Sequence, residues 1–394
     1  MKNLYFITPW FGSHSGGAEI YAETLASFLS EKDLPVTILT TTARSPFDPW
    51  DHNYFLPGTE KQGKLNIIRF SLNSRSSAQY IEYYNIISSG ISISSEQEEI
   101  YLSNTIRSSE MEDFIQKHRN GSLFFPIPYP YGVSYFGGIA SLPNTIPIPC
   151  LHDEPTALFK TMRNLFEKSM GILFLTEPEK RFATTVYSLK GKPSAVLGGG
   201  VCENVEGAPK RFREKTGIKK PFILYVGRKV PGKGIDILLN YWVRLKKECP
   251  IDHNLVIIGG GDMPGGINCE ESGIEDLGSA DEEMKFDALS ACDILCHLST
   301  KESLSLVLLE AWWMGKPVIV NEQCSVTTHQ VLTSGGGVPV HDYFEFKHSL
   351  LYLFSNRTIL EKMGKNGNNF VRRNFTWEKT VENFKDFISS LPEN

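Results

Sequence analysis

Short apolar runs alternate along the chain with longer stretches in which apolar residues recur every three or four positions. The runs are rich in Val, Ile, Leu and Phe and are bounded by Gly, Pro and polar clusters, as buried parallel strands are. In the first half they fall at 4–9 (LYFITP), 35–41 (PVTILTT), 65–70 (LNIIRF), 122–128 (SLFFPIP), 146–151 (IPIPCL), 171–176 (GILFLT) and 194–200 (SAVLGGG). In the second half they fall at 222–227 (FILYVG), 254–260 (NLVIIGG), 293–299 (DILCHLS), 316–322 (KPVIVNE) and 336–340 (GGVPV). The intervening stretches have helical spacing, so the pattern predicts an α/β chain with two doubly wound, Rossmann-like parallel sheets.

A polar, charged segment with a Gly-Ala-Pro break, 201–220, separates the two halves. The expected organisation is a first domain over 1–200, a second over 201–374 and a separate last helix within 375–394. In that helix Val381, Phe384, Phe387, Ile388 and Leu391 share helical spacing. Residues 71–113 are Ser-rich and carry no pattern that assigns them to either type of element.

Length agrees with two cores, since 394 residues exceed what one usually serves. Forty basic against forty-five acidic residues leave a net charge of −5 with no long basic block, so nucleic acid is not an expected partner. The seven cysteines are scattered, several within apolar runs, which fits a reducing cytoplasm. Cys292 and Cys296 are the closest pair, but no second Cys or His pair accompanies them at zinc-finger spacing. The start, MKNLYFITPW, lacks the form of a secretory signal, and no run reaches the roughly 18 apolar residues of a membrane span.

Ligands of open parallel sheets bind beyond the carboxyl ends of the strands, so the loops there are the places for chemistry. The stretch 9–29 leads through Gly12, Gly16 and Gly17 into a helix, where glycines let a backbone approach a phosphate or sugar; it is not the dinucleotide pattern G-x-G-x-x-G. PCLHDEP (149–155) places His152 and Asp153 directly after a strand. YVGRKVPGKG (225–234) projects Arg228 and Lys233 from a glycine-containing loop, a suitable pair for a pyrophosphate. Main-chain groups around Leu277 and Gly278 could read a nucleobase edge. In 301–320, KESLSLVLLEAWWMGKPVIV, Glu302 and Glu310 bracket an apolar run, with Ser303 and Ser305 as candidate helix caps. Eight residues at helical rise would separate the two carboxylates by roughly 12 Å. Each motif has a plain structural reading as well: a turn before a helix, a packed histidine, a solvated basic turn, a buried helix with glutamates at its edges.

Taken in order, GGAEIYAETLA, HD, YVGRKVPGKG and a Glu-x7-Glu followed by GKPVIV resemble the retaining glycosyltransferases of family 4, which have the GT-B fold of two Rossmann-like domains facing across a cleft. The resemblance extends over almost the whole chain. It implies that Arg228 and Lys233 bind the donor diphosphate, that Glu302 contacts the transferred sugar, and that Ser303, Leu304, Ser305 and Leu306 offer backbone N–H groups. It further implies that Glu310 accepts from ribose hydroxyls, that Gly227 and Leu277 line the donor site, that Gly16 and Gly17 approach the diphosphate, and that His152 lies near the reacting sugar. The last helix would cross back to the first domain.

The chain departs from the family in three places. Leu304-Ser305 stands where Phe-Gly is frequent, NEQCSVTTHQVL replaces a Gly-rich acidic stretch after GKPVIV, and Gly199-Gly200-Val201-Cys202 replaces an Asn-Gly-Val-Asp-like turn. The implied activity is transfer of a hexose from a nucleotide-sugar to a glycan or lipid-linked saccharide, with peripheral membrane contact left open. Frequency within the family favours a UDP-hexose over GDP-mannose. No cofactor is expected, and no metal, because the chain contains no Asp-x-Asp triplet of the kind that holds Mg or Mn in metal-dependent transferases. The competing readings are a noncatalytic nucleotide-sugar-binding partner, an epimerase on the same fold, and a phosphorylase, for which no pyridoxal lysine stands out. FFPIPYPYGVSYF (124–136) reads either as an acceptor groove or as packed loop structure.

Overall fold

The computed structural model describes residues 2–12, 16–201 and 203–392; Ser13, His14, Ser15 and Cys202, which belong to two of the stretches singled out above, lie outside the described residues. The chain divides into two compact units: residues 1–198 with 380–394, and residues 199–379.

The first unit contains strands β1 (Asn3–Ile7), β2 (Val36–Thr41), β3 (Gly58–Gln62), β4 (Leu65–Phe70), β5 (Ser122–Pro126), β6 (Ile172–Phe174) and β7 (Ser194–Val196). Its helices are α1 (Gly17–Glu31), α2 (Ser77–Ser88), α3 (Ser95–Ser103), α4 (Ser109–His118), α5 (Gly132–Ser141), α6 (Lys160–Lys168) and α7 (Glu177–Val186). Among the described residues the main sheet runs β3-β4-β2-β1-β5, parallel except for β3. β6 and β7 form a parallel pair.

The expected strand at 146–151 is not one. Pro147 and Pro149 have no N–H to give a ladder, although Ile146 and Ile148 still donate to Phe124 and Pro126 at 2.8 and 3.0 Å, and the carbonyl of Pro147 accepts from Leu173 at 3.0 Å. The segment therefore lies hydrogen-bonded between β5 and β6 without regular pairing. β3 (GTEKQ) escaped the pattern because every residue is exposed, so no apolar alternation marks it.

The unassigned stretch 71–113 folds into α2, α3 and the start of α4. Its serines are caps: Ser76, Ser94 and Ser108 each accept from a backbone N–H of the first turn, and Ser94 with Gln97 completes a capping box. Of FFPIPYPYGVSYF, Phe124, Phe125, Tyr129 and Tyr135 are core side chains.

The second unit contains β8 (Phe222–Val226), β9 (Asn254–Ile258), β10 (Ile274–Asp276), β11 (Ile294–His297), β12 (Val318–Asn321) and β13 (Gly337–Val340). Its helices are α8 (Pro209–Thr216), α9 (Ile235–Glu248), α10 (Glu282–Ala291), α11 (Leu306–Trp313), α12 (Ser325–Ser334), α13 (Tyr343–Ser355) and α14 (Arg357–Asn374). The last helix, α15 (Trp377–Ser390), begins in this unit and belongs to the first from Thr380 onward. The sheet order is β10-β9-β8-β11-β12-β13, all parallel, with the reversal between β8 and β11 that opens a crevice in such sheets. The three-residue β10 was not foreseen, since it contributes one buried side chain, Ile274.

Packing fixes α11 tightly. Trp312 is fully buried and donates from Nε1 to the Gly336 carbonyl at 2.9 Å, while Asn368 Nδ2 binds the carbonyls of Trp312 and Trp313 at 3.1 and 2.7 Å. Two glycines inside α14 admit it: a Cβ at Gly367 would come within 2.1 Å of the Trp312 ring, and one at Gly364 within 2.0 Å of the Gly315 carbonyl. A glycine in a helix interior costs roughly 0.5–1 kcal/mol, and burial of a large apolar side chain gains about 1.5–3 kcal/mol. The exchange favours holding α11 close.

Candidate functional site

The loops that follow β8, β9 and β11 pack on one another by main-chain contact. Gly234, with φ +68°, passes so close to the next loop that a Cβ would stand 2.0 Å from the Leu298 carbonyl. Gly259, with φ +147°, leaves no more room, a Cβ falling 1.9 Å from the Gly227 carbonyl. Only glycine satisfies both the backbone angle and the contact. These approaches converge several side chains at the crevice of the second sheet.

Lys233 and Glu302 meet there directly. Lys233 Nζ donates to Glu302 Oε1 at 2.7 Å, and His297 Nε2 lies 2.9 Å from the same oxygen. Burial by itself would raise the Glu302 carboxyl, but the charge of Lys233 and the hydrogen bond from His297 outweigh it and hold the group far below the usual carboxylate range. His297 Nδ1 is buried without a partner. Arg228 is exposed in the same loop as Lys233, its carbonyl fixed by the Tyr225 hydroxyl at 2.7 Å. Lys229, between them, turns the other way: it is buried on Asp276 at 2.8 Å and the Gly261 carbonyl at 3.0 Å.

Glu310 repeats the arrangement one turn into α11. Its Oε1 accepts from Lys285 Nζ of α10 at 2.7 Å. The helix that carries it begins only at Leu306, so the separation computed for eight helical residues does not apply to Glu302 and Glu310. Ser305 occupies the N-cap position but does not cap: its φ is +63°, it makes no side-chain cap bond, and its Oγ is buried without a partner. Leu304 is buried, and its carbonyl accepts from Gln330 of α12 at 3.0 Å. Ser303 and Leu306, on either side, are half-buried. In the first turn of α11 the Leu308 N–H donates to the Ser305 carbonyl at 3.1 Å, and the helix start presents positive potential to whatever lies before it.

The Leu277 N–H is committed to Ile257 at 2.9 Å, and Gly278 both donates to Asp276 and accepts from Gly259. This leaves the Leu277 carbonyl as the group that could read a base edge. Gly227 is held by its N–H on Ile258 at 2.9 Å. Arg228, Lys233, Glu302 and Glu310 thus all belong to the second unit, together with Gly227, Leu277 and residues 303–306.

Gly16, Gly17 and His152 belong to the first unit. Gly16 stands at the N-cap of α1, where a Cβ would meet Glu19 Oε2 at 2.7 Å, while Gly17 is open, with nothing within 4 Å. His152 is half-buried beside Leu151, whose N–H donates to Glu179 Oε1 at 2.6 Å; Leu175 donates to the other oxygen at 2.6 Å. Burial pushes Glu179 up to about 8 despite these amides. A cleft of about 380 Å³ lies at the carboxyl end of β1, lined by Phe11, Arg44, Phe55, Glu60 and Arg69 among others.

Three residues of these arrangements were not foreseen: His297, Lys285 and Glu179. His297 had a signal, a histidine inside the apolar strand DILCHLS. Lys285 and Glu179 are ordinary surface-pattern residues in sequence and acquire their partners only in the fold. Among the described residues, no group of three His, Cys, Asp or Glu side chains is placed to hold a metal ion, and no helix is long and apolar enough to cross a membrane.

Residues 209–370 match the family described as Glycosyl transferases group 1. An uncharacterized glycosyltransferase of Methanocaldococcus jannaschii is 26% identical over 239 residues, covering 58% of this chain and 60% of that protein. For the first curated relatives the match spans only 45% to 60% of their own length. Solved structures similar over nearly the whole chain include sucrose-phosphate synthase from Thermosynechococcus elongatus, with TM-score 0.70, 18% identity and 99% of both chains covered. Another is Anabaena Alr3699/HepE in complex with UDP and glucose, with TM-score 0.69, 14% identity, 99% of this chain and 100% of that one covered. At these identities the structural likeness speaks for the fold.

Proposed function

We propose, from the premise of a glycosyl transferases group 1 domain in a chain with the GT-B architecture, that this protein is a retaining, metal-independent hexosyltransferase. It would move a hexose from a nucleotide-sugar, a UDP-sugar in preference to GDP-mannose, to a glycan or lipid-linked saccharide. The observation that carries the reading is the paired clamp on two glutamates. Lys233 and His297 both engage Oε1 of Glu302, and Lys285 engages Oε1 of Glu310. Glu302 is thereby held ionised and Glu310 fixed in orientation, each with Oε2 left to accept from a ligand hydroxyl. Two acceptor oxygens on either side of a helix N-terminus suit a molecule with hydroxyls at both ends and anionic charge in the middle, as a nucleotide-sugar has.

Breaking the bond between the sugar carbon and the diphosphate oxygen sends the electron pair to that oxygen. Arg228, Lys233 and the amides of residues 303–306 are preorganised cations and donors for the growing charge, the largest usual source of rate enhancement. Lys233 is available for this because only one of its three donors is used by Glu302. The acceptor hydroxyl attacks from the face the diphosphate leaves, and its proton passes to a phosphate oxygen, which retains the configuration. These groups supply the positive charge a metal would otherwise bring. Glu302 orients the transferred sugar, Glu310 the ribose, and the Leu277 carbonyl the base; for His152, Gly16 and Gly17, in the first unit, the resemblance alone supports a part in binding the sugar and the diphosphate.

The HepE complex with UDP and glucose, a neighbour in fold, supports the donor preference. Cys249, Cys269, Cys292, Cys296 and Cys324 are free thiols, in keeping with a cytoplasmic setting, at the inner face of the membrane if the acceptor is lipid-linked. Incubation with UDP-glucose and GDP-mannose in EDTA, with NMR of the glycosidic product, tests the reading. A product of the donor's own anomeric configuration supports it; an inverted product, or transfer that requires added Mg, removes it.

A further inference from the structure

One face of the first unit contains donors without acceptors. Trp10 follows β1, Trp50 lies in the connection after β2, Arg75 in the connection after β4, and Tyr131 in the connection after β5, so four strand ends of one sheet contribute to it. The rings form one cluster: Trp10 to Trp50 at 5.8 Å, Trp10 to Tyr131 at 5.0 Å and Trp50 to Tyr80 at 5.4 Å between centroids. The Arg75 guanidinium sits over Trp50 and Tyr80, 5.2 and 5.0 Å from their centroids.

Two nitrogens here are buried with nothing to donate to, Trp10 Nε1 and Arg75 Nε, and Trp10 is 1% exposed. Buried donors are satisfied almost without exception, because an orphan forfeits its hydrogen bond to water and gains none in return. The Trp50 indole shows the ordinary outcome, donating to the Pro46 carbonyl at 3.2 Å.

Arg75 also differs from the other arginines of this unit that pack on aromatic rings. Arg44 holds Asp48, Arg69 holds Glu60 at 2.9 Å and Arg107 holds Glu112 at 2.8 Å. Arg75 makes no ion pair among the described residues; Asp51 acts on it only at a distance, and burial outweighs that attraction. A guanidinium stacked on two rings is fixed in orientation and keeps its fork of donors for an incoming planar or tetrahedral anion.

We propose that this face is a subsite for an anionic saccharide: an acidic group, phosphate or carboxylate, on Arg75, and the apolar face of a sugar ring against the Trp50 and Tyr131 side chains. Resting on the reading of the chain as a hexosyltransferase, it makes the acceptor an acidic sugar rather than a neutral one. A ligand's acidic group would give Arg75 the charge neutralisation that Arg44, Arg69 and Arg107 have from Asp48, Glu60 and Glu112.

The test is a calorimetric and tryptophan-fluorescence titration of the full chain with inorganic phosphate, glucose 6-phosphate, glucuronate and glucose. Glucose 6-phosphate or glucuronate should bind at least tenfold more tightly than glucose and change the tryptophan emission; which of the two does so separates phosphate from carboxylate. Arg75→Gln should abolish the preference, Arg75→Lys should restore part of it, and Lys233→Ala should leave it intact, which separates this subsite from the diphosphate site. Equal binding of all four probes, binding of none, or a preference that survives Arg75→Gln in a variant of unchanged Tm would overturn the proposal. Because these titrations need no donor, they stand or fall independently of transferase activity.

Discussion

Two glutamates, one in each unit, are buried near the carboxyl end of a parallel strand, and they are held in opposite ways. Glu179 receives backbone N–H groups of Leu151 and Leu175 and pairs with no cation among the described residues; burial prevails and its carboxyl rises to about 8. Glu302 is also buried, yet Lys233 and His297 on one oxygen hold its carboxyl far below the usual range. Amides fixed in a loop can tether chain segments but cannot move with a reaction. A lysine on a four-carbon stem can shift from a carboxylate to a departing phosphate. The difference separates an acid held by fixed amides from one held by a movable cation, and it is the second arrangement on which the proposed role of Glu302 rests.

The strongest way to break the comparison is to remove the cation from one side. Lys233→Ala should slow transfer by about 10²–10³-fold, the usual effect of losing one group that stabilises developing charge, while binding of the nucleotide alone changes much less. Single-turnover rates check this; an unchanged rate would reduce Lys233 to an ion-pair partner. The matching change in the first unit, Glu179→Gln, presents an NH2 group to amide donors and should cost about 1–3 kcal/mol of stability. It should leave donor affinity as it was, which denaturant unfolding and calorimetry together would show.

Proton linkage sharpens the contrast without mutation. Glu179 has a raised carboxyl in the folded state, so between its ordinary value of 4.5 and about 8 the folded state binds the extra proton. Its contribution favours folding at the acid end and is lost as pH rises through that window. Glu302 has a lowered carboxyl, so its contribution is present above 4.5 and is lost as pH falls below it. Denaturation followed from pH 2 to pH 9 should show the Glu179 slope disappear in Glu179→Leu while the acid-side loss remains. The same slopes in both proteins would refute the assignment.

Smaller effects are expected further from the ion pair. Glu310→Ala should weaken donor binding about tenfold, the worth of a hydrogen bond to a charged group, with little change in the rate of bound donor. Ser305→Gly should raise stability by about 1 kcal/mol, because a left-handed serine with no cap bond stores strain that glycine does not. A fall in Tm for that variant would show that the serine hydroxyl has a partner in solution.

The alternation of apolar runs and amphipathic stretches was enough to read two parallel sheets, because strands buried on both faces leave an uninterrupted signal. β3 was silent for the opposite reason, its five residues being exposed, and 146–151 misled because side chains were apolar where prolines denied the ladder. The serines of 71–113 were visible but their capping was not, since a cap is defined by where the first turn begins. Loop position and resemblance singled out Arg228, Lys233, Glu302 and Glu310, and the structure gathers all four in the second unit. That Lys233 rests on Glu302, and Lys285 on Glu310, was not legible, as those pairs join residues 69 and 25 positions apart. Ser305 was read as a cap and proves a strained cap position instead, at a place where the family often has glycine.

The central claim is that the second unit binds a nucleotide-sugar through Glu302, Glu310 and the cations between them. Its most direct test is isothermal calorimetry of UDP, GDP, ADP and their glucose or mannose conjugates in EDTA, on the wild type and on Glu310→Ala. The account predicts that one nucleotide binds, that its affinity falls about tenfold in the variant, and that added Mg changes neither value. Binding that is absent for every nucleotide, or identical in the two proteins, would contradict it.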